Sequence, residues 1–235
     1  MMMFDPLWLV LALPGLLLGI WASGKVRSAY GRAAQIPTRG GLSGAAAAHH
    51  IMDAEGVRGV AVESTRGFLS DHYHPVERKL RLSEENYHGD SIAAVGVAAH
   101  EVGHAIQHAR GYAPLMLRSA LVPLTQVGGL VAQIAILGGL LLMAASPLLG
   151  QTLLFWAVLG YAAVFLFTLV TVPVEYNASS RALRVLAEQG IVDRDELPEV
   201  KRVLDAAALT YVAGAVSVLG SLLYALSLYA RAREE

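Results

Sequence analysis

Residues 119–174 read SALVPLTQVGGLVAQIAILGGLLLMAASPLLGQTLLFWAVLGYAAVFLFTLVTVPV and contain no charged side chain. A helix crosses the hydrocarbon core of a bilayer with about 20 apolar residues, so this run is too long for a single crossing. Ser146-Pro147 and Gly150-Gln151 punctuate it near its middle and predict a tight hairpin between two spanning helices, 121–145 and 151–173. Outside the run, two further apolar stretches have spanning length, 6–23 and 207–229. Asp5, with no Lys or Arg, flanks the first, so the positive n-region of a secretory signal is missing. An uncleaved anchor is expected there, although Trp21-Ala22-Ser23-Gly24 carries the small residues of a cleavage site. Pro198 suits the first turn of the last helix, with Asp195 or Glu196 near its cap, so that helix is expected to begin in water and run into the bilayer.

The bulk composition agrees. Hydrophobic residues make up 55% of the 235 and charged residues 16%, against about 25% charged in soluble proteins. A formal net charge of -1 argues against nucleic acid as a main partner, because phosphate neutralisation needs a basic surface. The absence of cysteine excludes disulfides and thiolate-ligated zinc, so any metal must be held by His, Asp or Glu. Eleven Lys and Arg lie between Lys25 and Arg118, five between Arg181 and Arg202, and two at Arg231 and Arg233. With four crossings, the two large basic groups fall on one face, which the positive-inside rule makes cytoplasmic. The chain therefore reads as one membrane-embedded domain with cytoplasmic segments at 24–118 and 174–206.

The first of these segments has mixed structure. Ser43–Glu55 is Ala-rich, lies between Gly41 and Gly56, and predicts a helix. Val57–Glu63 alternates as a strand does, and Phe68–His74 and Lys79–Leu82 are short β-type runs around a turn at His74–Arg78, giving a small sheet. Ser91–Arg110 has a long helical pattern, with Asp90 or Ser91 as cap and Gly111 as stop. The fold class is a mainly α membrane protein with a small β-sheet and four transmembrane helices.

On the predicted helix lies HEVGHAIQH, His100–His108. Residues four apart share a helix face, so His100 and His104 can both reach one zinc ion. Glu101, next to the first imidazole, can meet a water there without being a ligand. A buried carboxylate with no cation would cost several kcal/mol in order of magnitude, which weighs against a mere polar seam between helices. A catalytic zinc takes three protein ligands. His108 is two turns beyond His100, roughly 12 Å along the axis at 1.5 Å per residue, too far to share the ion with both others. It reads as a supporting residue. Glu175, the first charge after the long apolar run and on the same face of the membrane, is the better third ligand. Asn177 and Ser179 follow it closely enough to hydrogen-bond the ligands.

Taken together, Leu69-Ser70-Asp71-His72-Tyr73-His74-Pro75, Lys79-Leu80-Arg81-Leu82-Ser83, Ser91-Ile92-Ala93-Ala94 leading into HEVGHAIQH, and Pro173-Val174-Glu175-Tyr176-Asn177-Ala178-Ser179 resemble the membrane-bound neutral zinc metallopeptidases called YugP-like. The resemblance covers most of residues 40–210 in the same order. It implies a gluzincin-type peptidase with one zinc per chain on His100, His104 and Glu175, and Glu101 as the catalytic base. It also implies an integral protein of a bacterial inner membrane, with the site on the cytoplasmic face. The Glu-x-x-x-Ser spacing is similar to the Glu-x-x-Ala-Asp of membrane proteases that cut prenylated proteins. Ser179 stands where their Asp would be, so a weaker orienting bond is expected.

The expected reaction is peptide hydrolysis with a water made acidic by zinc, Glu101 moving its proton to the leaving amine. A second donor to the oxyanion would come from His72, Tyr73, His74, Tyr87, His88 or Arg181. An exposed sheet edge within 66–74 would accept an extended peptide as an added strand. Expected partners are a peptide or membrane-protein substrate and the lipid bilayer; homo-oligomerisation stays open. The competing class is a non-catalytic membrane scaffold or sensor that binds metal, which would have no need of Glu101. A site-2-type intramembrane protease would need a distal aspartate ligand, and Asp205, in VLDAAA, lacks the glycine expected beside it.

Overall fold

A computed structural model describes residues 5–234. The chain is mainly helical, with one small sheet. In chain order the elements are α1 (Pro6–Ala33), α2 (Gly44–Ala54), β1 (Ala61–Thr65), β2 (His72–His74), β3 (Lys79–Ser83), α3 (Glu84–His88), α4 (Ile92–Ala109), α5 (Ala113–Leu142), α6 (Pro147–Glu188) and α7 (Leu197–Glu234). Four helices, α1, α5, α6 and α7, are long and apolar enough to cross a membrane.

The chain divides into two compact units. The first takes its described residues from 5–21, 117–172 and 210–234. Its outward surface is apolar: Val10, Leu17, Ile20, Leu130, Leu141 and Leu148 are all exposed. Water would disfavour so much contiguous apolar surface, whereas lipid tails do not. Where lipid is as apolar as the side chains, helices gain by close backbone approach at small residues. At Gly160 of α6 an added Cβ would lie 2.4 Å from the carbonyl oxygen of Gly128 on α5.

The second unit comprises Ala22–Met116 and Pro173–Leu209. Its core joins α2, α4, the sheet and the ends of α6 and α7 through Ile51, Leu80, Leu82, Val102, Leu186 and Val200, all fully buried. Each such side chain contributes roughly 1.5–3 kcal/mol by leaving water. The sheet has the order β1-β3-β2. β1 pairs with β3 in parallel, Ala61 opposite Lys79, and β2 pairs antiparallel, Tyr73 opposite Leu80. β2 is therefore an edge strand, as the sequence pattern of 66–74 suggested.

Several boundaries differ from the sequence expectation. The alternating run Val57–Glu63 is not all strand, because Gly59 adopts φ +72° and breaks the extended path. Val57 instead closes α2, its N–H donating to the Met52 carbonyl at 2.8 Å. Left-handed backbone at Gly67 (φ +112°) and Leu69 (φ 51°) confines β2 to three residues. The short helix α3, absent from the sequence reading, follows β3 directly after Ser83, whose hydroxyl is bonded to Asp71 and does not cap it. α5 stops at Leu142, so residues 143–145 form the turn into Pro147. Pro173 does not begin a helix but lies within α6; a long apolar helix can continue past one missing N–H when its neighbours hold it.

Candidate metal centre

α4 begins where the Ser91 hydroxyl accepts from the Ala94 N–H at 3.2 Å, the capping interaction its sequence favours. It ends before Gly111, whose φ of +62° favours a residue without Cβ. Most of the helix is buried, so its polar side chains must find partners inside the protein. His100 and His104, one turn apart, have ring centroids 4.9 Å from each other and nearly perpendicular rings. Glu175, on the turn of α6 that faces them, is 1% exposed. Its Oε2 lies 3.2 Å from His100 Nε2 and 3.4 Å from His104 Nε2. One ligand atom from each of the three residues falls within 4.8 Å of the others.

The donor set suits a divalent ion such as zinc: two imidazole nitrogens and a carboxylate oxygen, the three-ligand complement of a catalytic site. The far edge of each ring is already engaged. His100 Nδ1 is 3.1 Å from Ser179 Oγ, and His104 Nδ1 is 3.0 Å from Gln107 Oε1. Both Nε2 atoms are thereby turned toward the Glu175 carboxylate.

Close approach of the two helices makes this convergence possible. A Cβ on Gly103 would lie 2.5 Å from the carbonyl oxygen of Ala178. Any larger residue between His100 and His104 would push away the stretch of α6 that carries Glu175, Asn177 and Ser179.

Glu101 lies beside the cluster, 8% exposed. Burial pushes its carboxyl up to about 7, with neighbouring His100 acting in the opposite direction. The backbone of Tyr73, on the edge strand β2, favours its ionised form. Asp71 anchors the start of that strand: its carboxylate accepts from the Ser83 N–H at 2.7 Å and from Asn86 Nδ2 at 3.0 Å.

The remaining candidates occupy distinct places. His108 is paired with Tyr73, whose hydroxyl is 2.8 Å from His108 Nδ1, and does not join the ligand cluster. That pair lines a cavity of about 260 Å³ together with Arg58 and Arg78. His72 and His74 engage their own chain: His72 Nδ1 donates to the Ser70 carbonyl at 2.8 Å, and His74 Nδ1 accepts from the Glu77 N–H at 3.1 Å. Tyr87 and His88 stack edge to face with each other on α3. Asn177 links two residues, its Oδ1 accepting from Gln107 Nε2 at 2.9 Å and from Arg181 Nε at 2.8 Å. Arg181 also lies over the Tyr112 ring, 5.7 Å from its centroid.

Sequence reasoning missed Gln107, Gly103 and Asp71. Gln107 carried the clearest signal, an amide three residues past a candidate ligand on a largely apolar helix. Its partners are 67 and 70 residues away, beyond the reach of local pattern.

A family model described as "Putative neutral zinc metallopeptidase" matches residues 8–230. A protein of Bacillus subtilis (strain 168), described as "Putative membrane protease YugP", is 42% identical over 229 residues, 97% of this chain and 99% of its own length. No solved structure matches the chain.

Proposed function

The chain belongs to the neutral zinc metallopeptidase family, and from that premise we propose that it is a membrane-embedded zinc endopeptidase in which His100, His104 and Glu175 hold one ion and Glu101 is the general base. The observation that carries this reading is the convergence of two Nε2 atoms and one carboxylate oxygen within 4.8 Å, with a second, separate carboxyl at Glu101 beside them. Zinc, when bound, supplies a Lewis acid that polarises a carbonyl and makes water acidic near neutral pH.

The chain's own residues supply the remaining functions. Glu101 takes the proton of the attacking water on a carboxylate oxygen and delivers it to the leaving amine. Burial raises that carboxyl, and an ion held by the three neighbouring residues would act in the opposite direction, favouring the carboxylate that accepts the proton. The backbone of Tyr73 acts on the base, so the proton-moving group sits by the edge strand β2, to which an extended peptide would add. Main-chain pairing of that kind reads few side chains and suits unfolded or membrane-tethered substrates. The paired Tyr73 and His108 form one wall of the cavity next to that edge. The distribution of Lys and Arg supports a site on the cytoplasmic face of the membrane.

Purification in detergent followed by metal analysis tests the reading. The wild type and Glu101→Gln are both expected to carry about one zinc per chain. Only the wild type should cleave casein or a peptide, the variant losing roughly 10²–10⁴-fold in kcat. A zinc-free wild type would overturn the metal site. A zinc-loaded wild type that cleaves nothing, or a fully active Glu101→Gln, would favour the metal-binding scaffold or another base.

A further inference from the structure

We propose that Gln107 is a positioning residue: it fixes the hydrogen of His104 on Nδ1 and so directs the other ring nitrogen, Nε2, at the metal position. The inference rests on the reading that His100, His104 and Glu175 hold zinc, but its derivation begins from groups whose donor or acceptor character cannot change.

Arg181 only donates. Its Nε is 2.8 Å from Asn177 Oδ1, so Asn177 turns its oxygen, not its amide nitrogen, toward this side. The same oxygen is 2.9 Å from Gln107 Nε2. A second group constrains Gln107 independently. The backbone carbonyl of Val174 can only accept, and it too lies 2.9 Å from Gln107 Nε2. Rotating the Gln107 amide by half a turn would set its oxygen against two oxygens inside the protein, at a residue that is 0% exposed and has no water to compensate. The amide orientation is therefore determined twice over, and Oε1 must face the other way, where His104 Nδ1 lies 3.0 Å from it. An amide oxygen only accepts, so Nδ1 must carry a hydrogen. The ligand-forming lone pair is left to Nε2, the atom 3.4 Å from Glu175 Oε2.

His100 contrasts with this. Its Nδ1 meets the hydroxyl of Ser179, a rotor that both donates and accepts and imposes no hydrogen position. Of the two ligand imidazoles, His104 alone has its hydrogen placed by its surroundings. Gln107 also lies between Val174 and Asn177, the residues flanking Glu175 closely in sequence. The amide thus joins one ligand on α4 to the segment bearing another on α6.

Two measurements on the full-length protein in detergent test this. Zinc affinity is read by competition with a chromogenic chelator for wild type, Gln107→Leu, Gln107→Glu and Arg181→Met. Leu removes the acceptor at nearly the same volume and is expected to weaken zinc binding by roughly 10–100-fold. Glu keeps an oxygen for Nδ1–H but sets its second oxygen against the Val174 carbonyl and Asn177 Oδ1, so it is expected to weaken zinc binding as well, and unchanged affinity in this variant would overturn the constraint on the amide. Arg181→Met, at the half-buried end of the chain of bonds, is expected to lose only a few-fold. Histidine-selective 15N labelling gives the second readout. His104 should show a slowly exchanging Nδ1–H in wild type, metal-free and zinc-loaded, and lose that protection in Gln107→Leu. Equal zinc affinity in wild type and Gln107→Leu, or a His104 lacking Nδ1–H, would each overturn the proposal. If Gln107→Leu does not fold, the Nδ1–H of wild type and its exchange rate in Arg181→Met still decide it. A wild type that shows the protected Nδ1–H but binds no zinc would refute the proposed metal site and leave the role of Gln107 in orienting His104 intact.

Discussion

Alanine at position 103 would set a methyl carbon 2.5 Å from the carbonyl oxygen of Ala178, where a relaxed carbon–oxygen contact is about 3.3–3.6 Å. α4 and the facing turn of α6 must then separate by about 1 Å at that level. The carbonyl struck lies between Asn177 and Ser179 and one turn from Glu175, so the displacement acts on Glu175, on Ser179, the partner of His100, and on Asn177, the partner of Gln107. Stability changes less than function. Alanine gains about 0.8–1 kcal/mol over glycine as a helix former, while overpacking a tight contact costs about 1–3 kcal/mol. The net loss is about 0–2 kcal/mol. Catalysis tolerates less, since a 1 Å misplacement can lower the rate about 100-fold. The assay compares chelator-competition zinc affinity and kcat/KM for peptide cleavage with thermal unfolding of the same preparation. We expect zinc affinity to fall at least tenfold and kcat/KM about 100-fold, with little change in Tm. A Gly103→Ala protein with wild-type zinc affinity and activity would refute the claim that this close approach sets the ligand geometry.

Two other substitutions separate roles that the cluster assigns. Glu175→Ala should abolish stoichiometric zinc by metal analysis, whereas His108→Ala should retain it, because His108 is bonded to Tyr73 and stands outside the ligand cluster; the reverse pattern would exchange their roles. Ser179→Ala removes a bond that does not dictate a hydrogen position, so zinc affinity should drop only a few-fold, less than for Gln107→Leu; a larger loss would make His100 the more dependent ligand.

Much of this protein is legible in its residues, and what is legible shares a property: it depends on neighbours within a turn or two, or on composition. The uncharged run 119–174 needs no partner to be read as two crossings, because lipid tolerates neither charge nor unpaired backbone. His100 and His104 follow from helical spacing alone, and His108 is distanced from them by the rise of the same helix. Ser91 as a cap and Gly111 as a stop are equally local. Local pattern fails where backbone conformation overrides alternation. Gly59 and Leu69, with positive φ, end strands that the apolar pattern would extend. Pro173 is the opposite case, a local breaker carried within a continuous α6.

By itself, then, the sequence determined the membrane class, the four long apolar helices, the helix bearing two histidines, and the nomination of Glu175. Only the tertiary structure decided how those groups are held. The Glu175 carboxylate reaches both imidazoles because Gly103 lets α6 come against α4, and Gln107 acquires its acceptor and donor roles from Val174, Asn177 and Arg181. These facts are pairings between residues some seventy positions apart, with the direction of each hydrogen set by its partner. Periodicity reports which side of a helix a residue occupies; only packing determines what it meets there.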